Sequence, residues 1–273
     1  MIETAPAKIN VCLFVGPIRE DGRHELVSVM ESITLADTLT LEPLDGGEDE
    51  VVSAGVEDTL VTRALAAFRA RTGWNGGPVR ITIDKRIPVA AGLGGGSADA
   101  AAALRLAARA SGFDDEGTLH ELATTLGSDV PGQVRPGRVL ATGAGEHVER
   151  LPPPKPYGIL VLPSRETLST PAVYAEADRL GLPRASLGDA LREARRDPPP
   201  AVNDLQDAAR SLCPSIDEAL GTARAAGARD AIVAGSGPTV LGFFDTPAEA
   251  ETAAGELAGR DPRPVAATPV VTR

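Results

Sequence analysis

The stretch Ile87-Pro88-Val89-Ala90-Ala91-Gly92-Leu93-Gly94-Gly95-Gly96-Ser97-Ala98-Asp99-Ala100-Ala101-Ala102-Ala103-Leu104 constrains this chain more than any other. A glycine-rich loop runs directly into an alanine-rich helix. Glycine admits φ > 0 and lets backbone approach a ligand closely. The first turn of the helix leaves amide N–H groups without partners and carries the positive end of the dipole. Together these make an anion site, most often for phosphate. Ser97 then caps the helix or touches a phosphate or its metal. The alternative is a tight loop packing a small-residue helix on a sheet. A dinucleotide fingerprint requires glycine where Ser97 stands. The phosphate loop of NTPases requires a lysine after Gly96, and none follows. The cradle is of another kind, and its cation comes from elsewhere in the chain.

At 273 residues, 42% hydrophobic and 24% charged, the chain has the balance of a soluble globular protein of one large or two medium domains. Its net charge of -11 argues against a nucleic-acid partner, which needs a basic footprint. Cys12 and Cys213 are the two cysteines, far apart, so no disulfide framework is implied and a cytoplasmic location is expected. Neither a cationic apolar leader nor a membrane-length apolar run is visible, so no membrane partner is expected.

Ile9, Val11, Leu13 and Val15 alternate as in a half-buried strand, whose other face carries Lys8, Asn10, Cys12 and Phe14. Lys8 and Asn10 therefore point the same way. Arg19–Arg23 reads as a turn, 26–35 and 38–41 as two strands, 45–50 as an acidic loop and 59–71 as a helix. Val79, Ile81 and Ile83 form a strand feeding the glycine loop, and 119–126 a short helix. Pro152-Pro153-Pro154-Lys155-Pro156 is the best boundary, dividing the chain into residues 1–153 and 154–273. Beyond it the spacing predicts strands at 158–162, 231–233, 240–244 and 265–271, with helices at 172–180, 204–212, 216–226 and 248–258. Residues 195–200 read as an exposed loop. Mixed strands and helices in both halves predict an α+β or α/β fold.

Other constellations are ambiguous alone. Lys8 is either a surface lysine on an exposed strand face or a functional cation. Asp129, in Gly127-Ser128-Asp129-Val130-Pro131, either caps a short turn or accepts a proton from a substrate hydroxyl. His24, in Asp21-Gly22-Arg23-His24, is a turn histidine or a hydrogen-bonding group for a base or sugar. Gly235-Ser236-Gly237 is a tight connection or a backbone that closes over a ligand.

Taken in order, Pro6-Ala7-Lys8-Ile9-Asn10, Asp21-Gly22-Arg23-His24, Gly92 to Ser97, Gly127 to Pro131 and Gly235-Ser236-Gly237 resemble the GHMP small-molecule kinase superfamily. Ile83 to Pro88, Leu168-Ser169-Thr170-Pro171-Ala172-Val173-Tyr174 and Asn203-Asp204-Leu205 extend the resemblance from about Pro6 to Asp245. It narrows to the branch whose small-molecule substrate carries a cytidine diphosphate moiety. It implies an α+β fold of two domains, an N-terminal ATP-binding domain of βαβ type with a left-handed crossover and a ferredoxin-like C-terminal domain, with the site in the cleft between them.

The resemblance also implies roles. Lys8 and Asp129 would be the catalytic pair, Asp129 taking the proton of the attacking hydroxyl and Lys8 offsetting charge on the transferred phosphoryl group. Pro88, Ala90 and Gly92-Leu93-Gly94-Gly95-Gly96-Ser97 would wrap the phosphates of ATP, with Lys85 beside the nucleotide. Mg²⁺ would arrive with ATP, with no dedicated carboxylate cage on the chain and Ser97 as no more than a candidate ligand. Asn10, Arg23, His24, Thr170, Pro171, Tyr174, Gly235 and Ser236 would bind the substrate, Tyr174 stacking on cytosine and His24 bonding its edge. Monomer or weak homodimer is the expected state. Three positions depart from the family: Arg23 where tyrosine is usual, Thr59 where asparagine is usual near adenine, and Ala98 where a second serine is common. An anionic substrate on a chain of net charge -11 calls for a local positive cleft from Lys8, Arg23 and Lys85. The rival readings are a homoserine- or mevalonate-type kinase and a non-catalytic nucleotide-binding regulator.

Overall fold

The structure is a computed structural model that describes residues 1–53 and 59–271. Asp58, beside Thr59 in the sequence motif, lies outside the described residues. The chain opens with two long antiparallel strands, β1 (Ile2–Ile18) and β2 (His24–Pro43), joined by the turn expected at Arg19–Arg23. β1 is buried on both faces from Ala5 to Gly16, not half-buried. The alternation expected from Ile9 to Val15 breaks at a register shift between Asn10 and Cys12, so that Cys12 and Phe14 leave the face of Lys8 and Asn10 and the side chains divide between two apolar surroundings. Ile9, Val11 and Phe14 join the core beneath the helices, whereas Leu13 and Val15 join a second cluster with Leu160, Val173 and Leu205. β2 is one strand where two are expected. Nothing between Leu35 and Thr38 turns the chain, and the strand changes partners instead.

Those partners follow in order. β3 (Glu50–Ser53), α1 (Thr59–Thr72) and β4 (Val79–Asp84) make a parallel βαβ unit, with β4 antiparallel to the far half of β2. β3 begins at Glu50, the last residue of the expected acidic loop, and its four residues are too few to show a period. α2 (Gly95–Ser111) follows the glycine loop and packs on α1 and β1. α3 (Glu116–Leu126) is capped by Asp115, which accepts from the amides of Gly117 and Thr118, and α4 (Val130–Gln133) is a single turn. The hairpin β5 (Arg138–Gly143) and β6 (His147–Arg150) returns to the near half of β2.

Pro152–Pro156 lies in the connection to β7 (Gly158–Leu162). Then come α5 (Thr170–Leu180), α6 (Gly188–Ala194), β8 (Val202–Asn203), α7 (Gln206–Leu212) and α8 (Ser215–Ala225). α6 has no counterpart among the expected elements, and Pro199, within the loop expected to be exposed at 195–200, is buried. β9 (Asp230–Val233), β10 (Val240–Phe244), α9 (Pro247–Glu256) and β11 (Val265–Ala267) complete the chain. The second sheet runs β11-β7-β10-β9 and is antiparallel throughout. That is the ferredoxin-like order. β8 crosses back to pair with β1 in the first sheet, and Ile159, Val161, Ile232 and Phe243 share the core of Ile9 and Phe14. The fold is α+β, as the resemblance implies. Among the described residues, no helix is long and apolar enough to cross a membrane.

Candidate active site

Lys8 and Asn10 share a face of β1, and the Lys8 ammonium donates to Asn10 Oδ1 at 2.8 Å. Asn10 Nδ2 donates to Ser28 Oγ on β2 (2.7 Å), and that hydroxyl donates to the Cys12 carbonyl (2.7 Å). Lys8 is buried, which excludes the surface-lysine reading. Its Nζ lies 3.3 Å from Asp129 Oδ2. Asp129 holds the N-cap position of α4 but makes no capping hydrogen bond. Its carboxylate turns to Lys8 instead, with about a third of its side chain exposed.

The glycine loop closes against the same lysine. The Lys8 amide donates to the Leu93 carbonyl at 2.9 Å. Gly94 has φ +66, and a Cβ there would lie 2.8 Å from Lys8 Cγ. Gly94 is also the N-cap of α2, so Ser97 sits inside the first turn rather than capping it. On the other side, Gly92 and Gly235 bring the two glycine loops together, backbone against backbone. Asn203 secures the second loop by donating to the carbonyls of Val233 (2.8 Å) and Gly235 (2.7 Å).

Lys85 leaves β4 and is clamped between two fully buried carboxylates, Asp37 (2.6 Å) and Asp99 (2.5 Å). Burial alone would pull its ammonium down; the hydrogen bonds it donates to both carboxylates outweigh that and hold it above its ordinary value. The second oxygen of Asp37 accepts from the amides of Arg86 (2.5 Å) and Ile87 (2.8 Å). Asp37, Lys85 and Asp99 thus tie down both ends of the glycine loop.

The far wall comes from α5. The His24 ring lies 5.1 Å from the Tyr174 ring, centroid to centroid, and His24 Nε2 is 2.8 Å from Asp178 Oδ1. Burial, with a smaller contribution from the charge of Asp129, pushes the Tyr174 phenol up to about 12. Thr170 Oγ1 and Ser236 Oγ lie 2.9 Å apart and join α5 to the second glycine loop. The Arg23 guanidinium reaches the rim, where both Nε (3.1 Å) and Nη2 (2.8 Å) bond Asp21.

These groups line one cleft of about 900 Å³. Lys8, Asn10, Arg23, His24, Lys85, Pro88, Ala90, the run Gly92 to Ser97, Asp129, Thr170, Pro171, Tyr174, Gly235 and Ser236 all face it. The expected positive cleft is corrected by the geometry. Lys8, Lys85 and Arg23 each sit against carboxylates, so attraction for an anion falls to the loop amides and the N-terminus of α2. Sequence reasoning did not single out Ser28, Asp37 or Asp178. Asp178 lies four residues after Tyr174 on α5, the spacing that puts two side chains on one helix face. Ser28 and Asp37 are lone polar residues in apolar strand runs, which is a weak signal.

Residues 59–137 match the GHMP kinases N terminal domain, and residues 182–261 match GHMP kinases C terminal. The chain belongs to the GHMP kinases. Within that class its similarity is to one branch. It is 43% identical to 4-diphosphocytidyl-2-C-methyl-D-erythritol kinase of Salinispora tropica over 94% of this chain and 87% of that protein. It is 40% identical to the enzyme of the same name from Anaeromyxobacter dehalogenans, over 95% and 86%. A crystal structure of 4-(cytidine 5'-diphospho)-2C-methyl-D-erythritol kinase superposes with a TM-score of 0.85 at 35% identity, covering the whole of both chains. Mevalonate kinase of Methanococcus jannaschii superposes at 0.71 with 11% identity, over 100% of this chain and 98% of that one, and shares the fold.

Proposed function

We propose that this protein transfers the γ-phosphate of ATP to the 2-hydroxyl of 4-diphosphocytidyl-2-C-methyl-D-erythritol, a step of non-mevalonate isoprenoid synthesis. The observation that carries this reading is the Lys8–Asp129 contact. It lies in a cleft with the glycine loop on one side and the His24–Tyr174 wall on the other. The tertiary hydroxyl oxygen attacks the γ-phosphorus, and its proton passes to Asp129. The bond from the γ-phosphorus to the bridging oxygen breaks, leaving ADP. Lys8, held by Asn10, offsets charge on Asp129 and on the phosphoryl group in transit. Phosphoryl transfer of this kind depends mainly on positioning and electrostatics, which this arrangement supplies.

The ATP phosphates lie along Gly92 to Ser97, with Pro88 and Ala90 at the loop entrance. Lys85 stands beside the nucleotide within its carboxylate clamp. Among the described residues no group of three His, Cys, Asp or Glu side chains is arranged to hold a metal. A Mg²⁺ bound chiefly by phosphate oxygens and water fits such a site, with the Ser97 hydroxyl as the group of this chain nearest that role; bound there it would neutralise phosphate charge. Cytosine packs on Tyr174 and Pro171 and meets His24, while Arg23, Thr170, Gly235 and Ser236 close around the substrate. Residues 1–153 and 154–273 are the two domains in this reading, of a cytoplasmic monomer or weak homodimer.

ATP consumption with 4-diphosphocytidyl-2-C-methyl-D-erythritol tests the proposal, with Asp129→Asn run beside the native protein. Turnover by the native protein that falls about a hundredfold or more in the variant is expected for loss of a general base. No native turnover overturns the substrate; unchanged turnover in the variant overturns the base. CMP titration adds a second readout, since a homoserine- or mevalonate-type kinase has no use for a cytosine pocket.

A further inference from the structure

Asp129 precedes α4, and Gln133 closes it. Gln133 is 2% exposed, yet both ends of its amide are engaged. Nε2 donates to the Pro6 carbonyl at 3.0 Å, and Oε1 accepts from Ser32 Oγ at 3.1 Å. Both partners belong to the surroundings of Lys8. Pro6 lies two residues before it on β1, and Ser32 is its cross-strand partner on β2. The β1–β2 register shifts between Pro6 and Lys8, so Gln133 bonds the strand where its ladder is irregular. The main chain of α4 is held as well. Arg105 on α2 donates to the Gln133 carbonyl and to the Thr4 carbonyl of β1, both at 2.7 Å. The turn that presents Asp129 therefore hangs from the strand that presents Lys8.

The amide meets both demands, because it donates from one end and accepts at the other. Glutamate of the same length loses the donor, and methionine loses both. The Lys8–Asp129 contact itself is a single approach at 3.3 Å with a partly exposed carboxylate, which does little to fix its own geometry. We infer that Gln133 is a positioning residue for phosphoryl transfer, the buried amide that sets where the Asp129 carboxylate stands against the Lys8 ammonium. The inference rests on Asp129 being the proton acceptor.

Gln133→Met tests it, read by steady-state kinetics beside Asp129→Asn and the double variant. A small misplacement of a reacting group costs rate more than binding, so kcat falls about tenfold or more while KM for both substrates stays within about twofold. The double variant keeps the kcat of Asp129→Asn alone, because a positioning effect disappears with the group it positions. Native kcat in Gln133→Met overturns the inference. So does a further loss of kcat on top of Asp129→Asn, the mark of a general structural role. Native kcat in Asp129→Asn removes the base assignment, and this inference with it. Should Gln133→Met fail to fold, Ser32→Ala carries the test, since it removes one of the two holds. A severalfold loss of kcat at constant KM supports the inference, and native kcat overturns it.

Discussion

Gly92 and Ala234 meet so closely that a Cβ on Gly92 would lie 2.1 Å from the Ala234 carbonyl oxygen. The contact joins the phosphate-type loop of the first sheet to the glycine loop between β9 and β10 of the second. Gly92 also has φ +75, a conformation that L side chains resist. Gly92→Ala therefore separates the two loops as well as straining the backbone. The strain alone is worth roughly 1–3 kcal/mol. A lowered Tm together with weakened ATP binding is expected from thermal unfolding and nucleotide titration. Native values of both would mean that the loops move apart at no cost.

His24 and Asp178, 154 positions apart, are joined at 2.8 Å. The bond orients the imidazole against Tyr174, so removing it loosens the wall assigned to cytosine. Asp178 is partly exposed, which moderates the effect. Asp178→Ala should weaken CMP binding by about fivefold to twentyfold, in line with a partly screened hydrogen bond. ATP affinity should stay unchanged. Isothermal titration with each nucleotide separates the two, and equal losses for both would count against a cytosine-specific wall.

Asp37 lies on the side of the cleft proposed for ATP. It bonds Lys85 and two backbone amides at the entrance of the glycine loop while fully buried. Asp37→Asn removes the charge facing Lys85 and replaces one acceptor oxygen with a donor. A buried group left badly paired costs about 1–3 kcal/mol, so Tm should fall measurably. KM for ATP should rise more than KM for the acceptor. An equal rise in both would place the effect in the general fold and not in the loop.

Glu176 governs an acid-sensitive contact between α5 and α7. Hydrogen bonds from Arg179 and Ser211 lower its carboxyl from 4.5 to about 2. A depressed carboxyl stabilises the folded state fully above its unfolded value and loses that contribution as pH falls through the folded one. The contribution is therefore present above pH 4.5 and lost toward pH 2. Glu176→Gln should flatten the fall of Tm over that window and leave the slope near neutrality alone. An unaltered acid limb in the variant would show that other carboxylates dominate it.

Much of the site was legible in the residues because it is local. The glycine run before an alanine helix is a backbone property, and Lys8 shares a face with Asn10 because strands have a period of two. The long β2 and the short β3 were not legible. Continuity across residues 35–38 depends on a change of partner strand, and four residues show no period. The burial of both faces of β1 escaped for a related reason, since a strand covered on both sides differs from a half-covered one only in what lies above it.

The amino-acid sequence by itself determined which chemical groups are present and which neighbours along the chain face the same way: the loop amides, the Lys8–Asn10 pair and the candidate base Asp129. The tertiary structure alone decided how they are joined. Lys8 to Asp129, His24 to Asp178, Lys85 to Asp37 and Asp99, and Gln133 to Pro6 and Ser32 are contacts between elements remote in sequence. Side-chain direction repeats every two or 3.6 residues and is written locally. The distance between two charged groups on different elements is set by sheet register and by packing of the whole core, which no local pattern encodes.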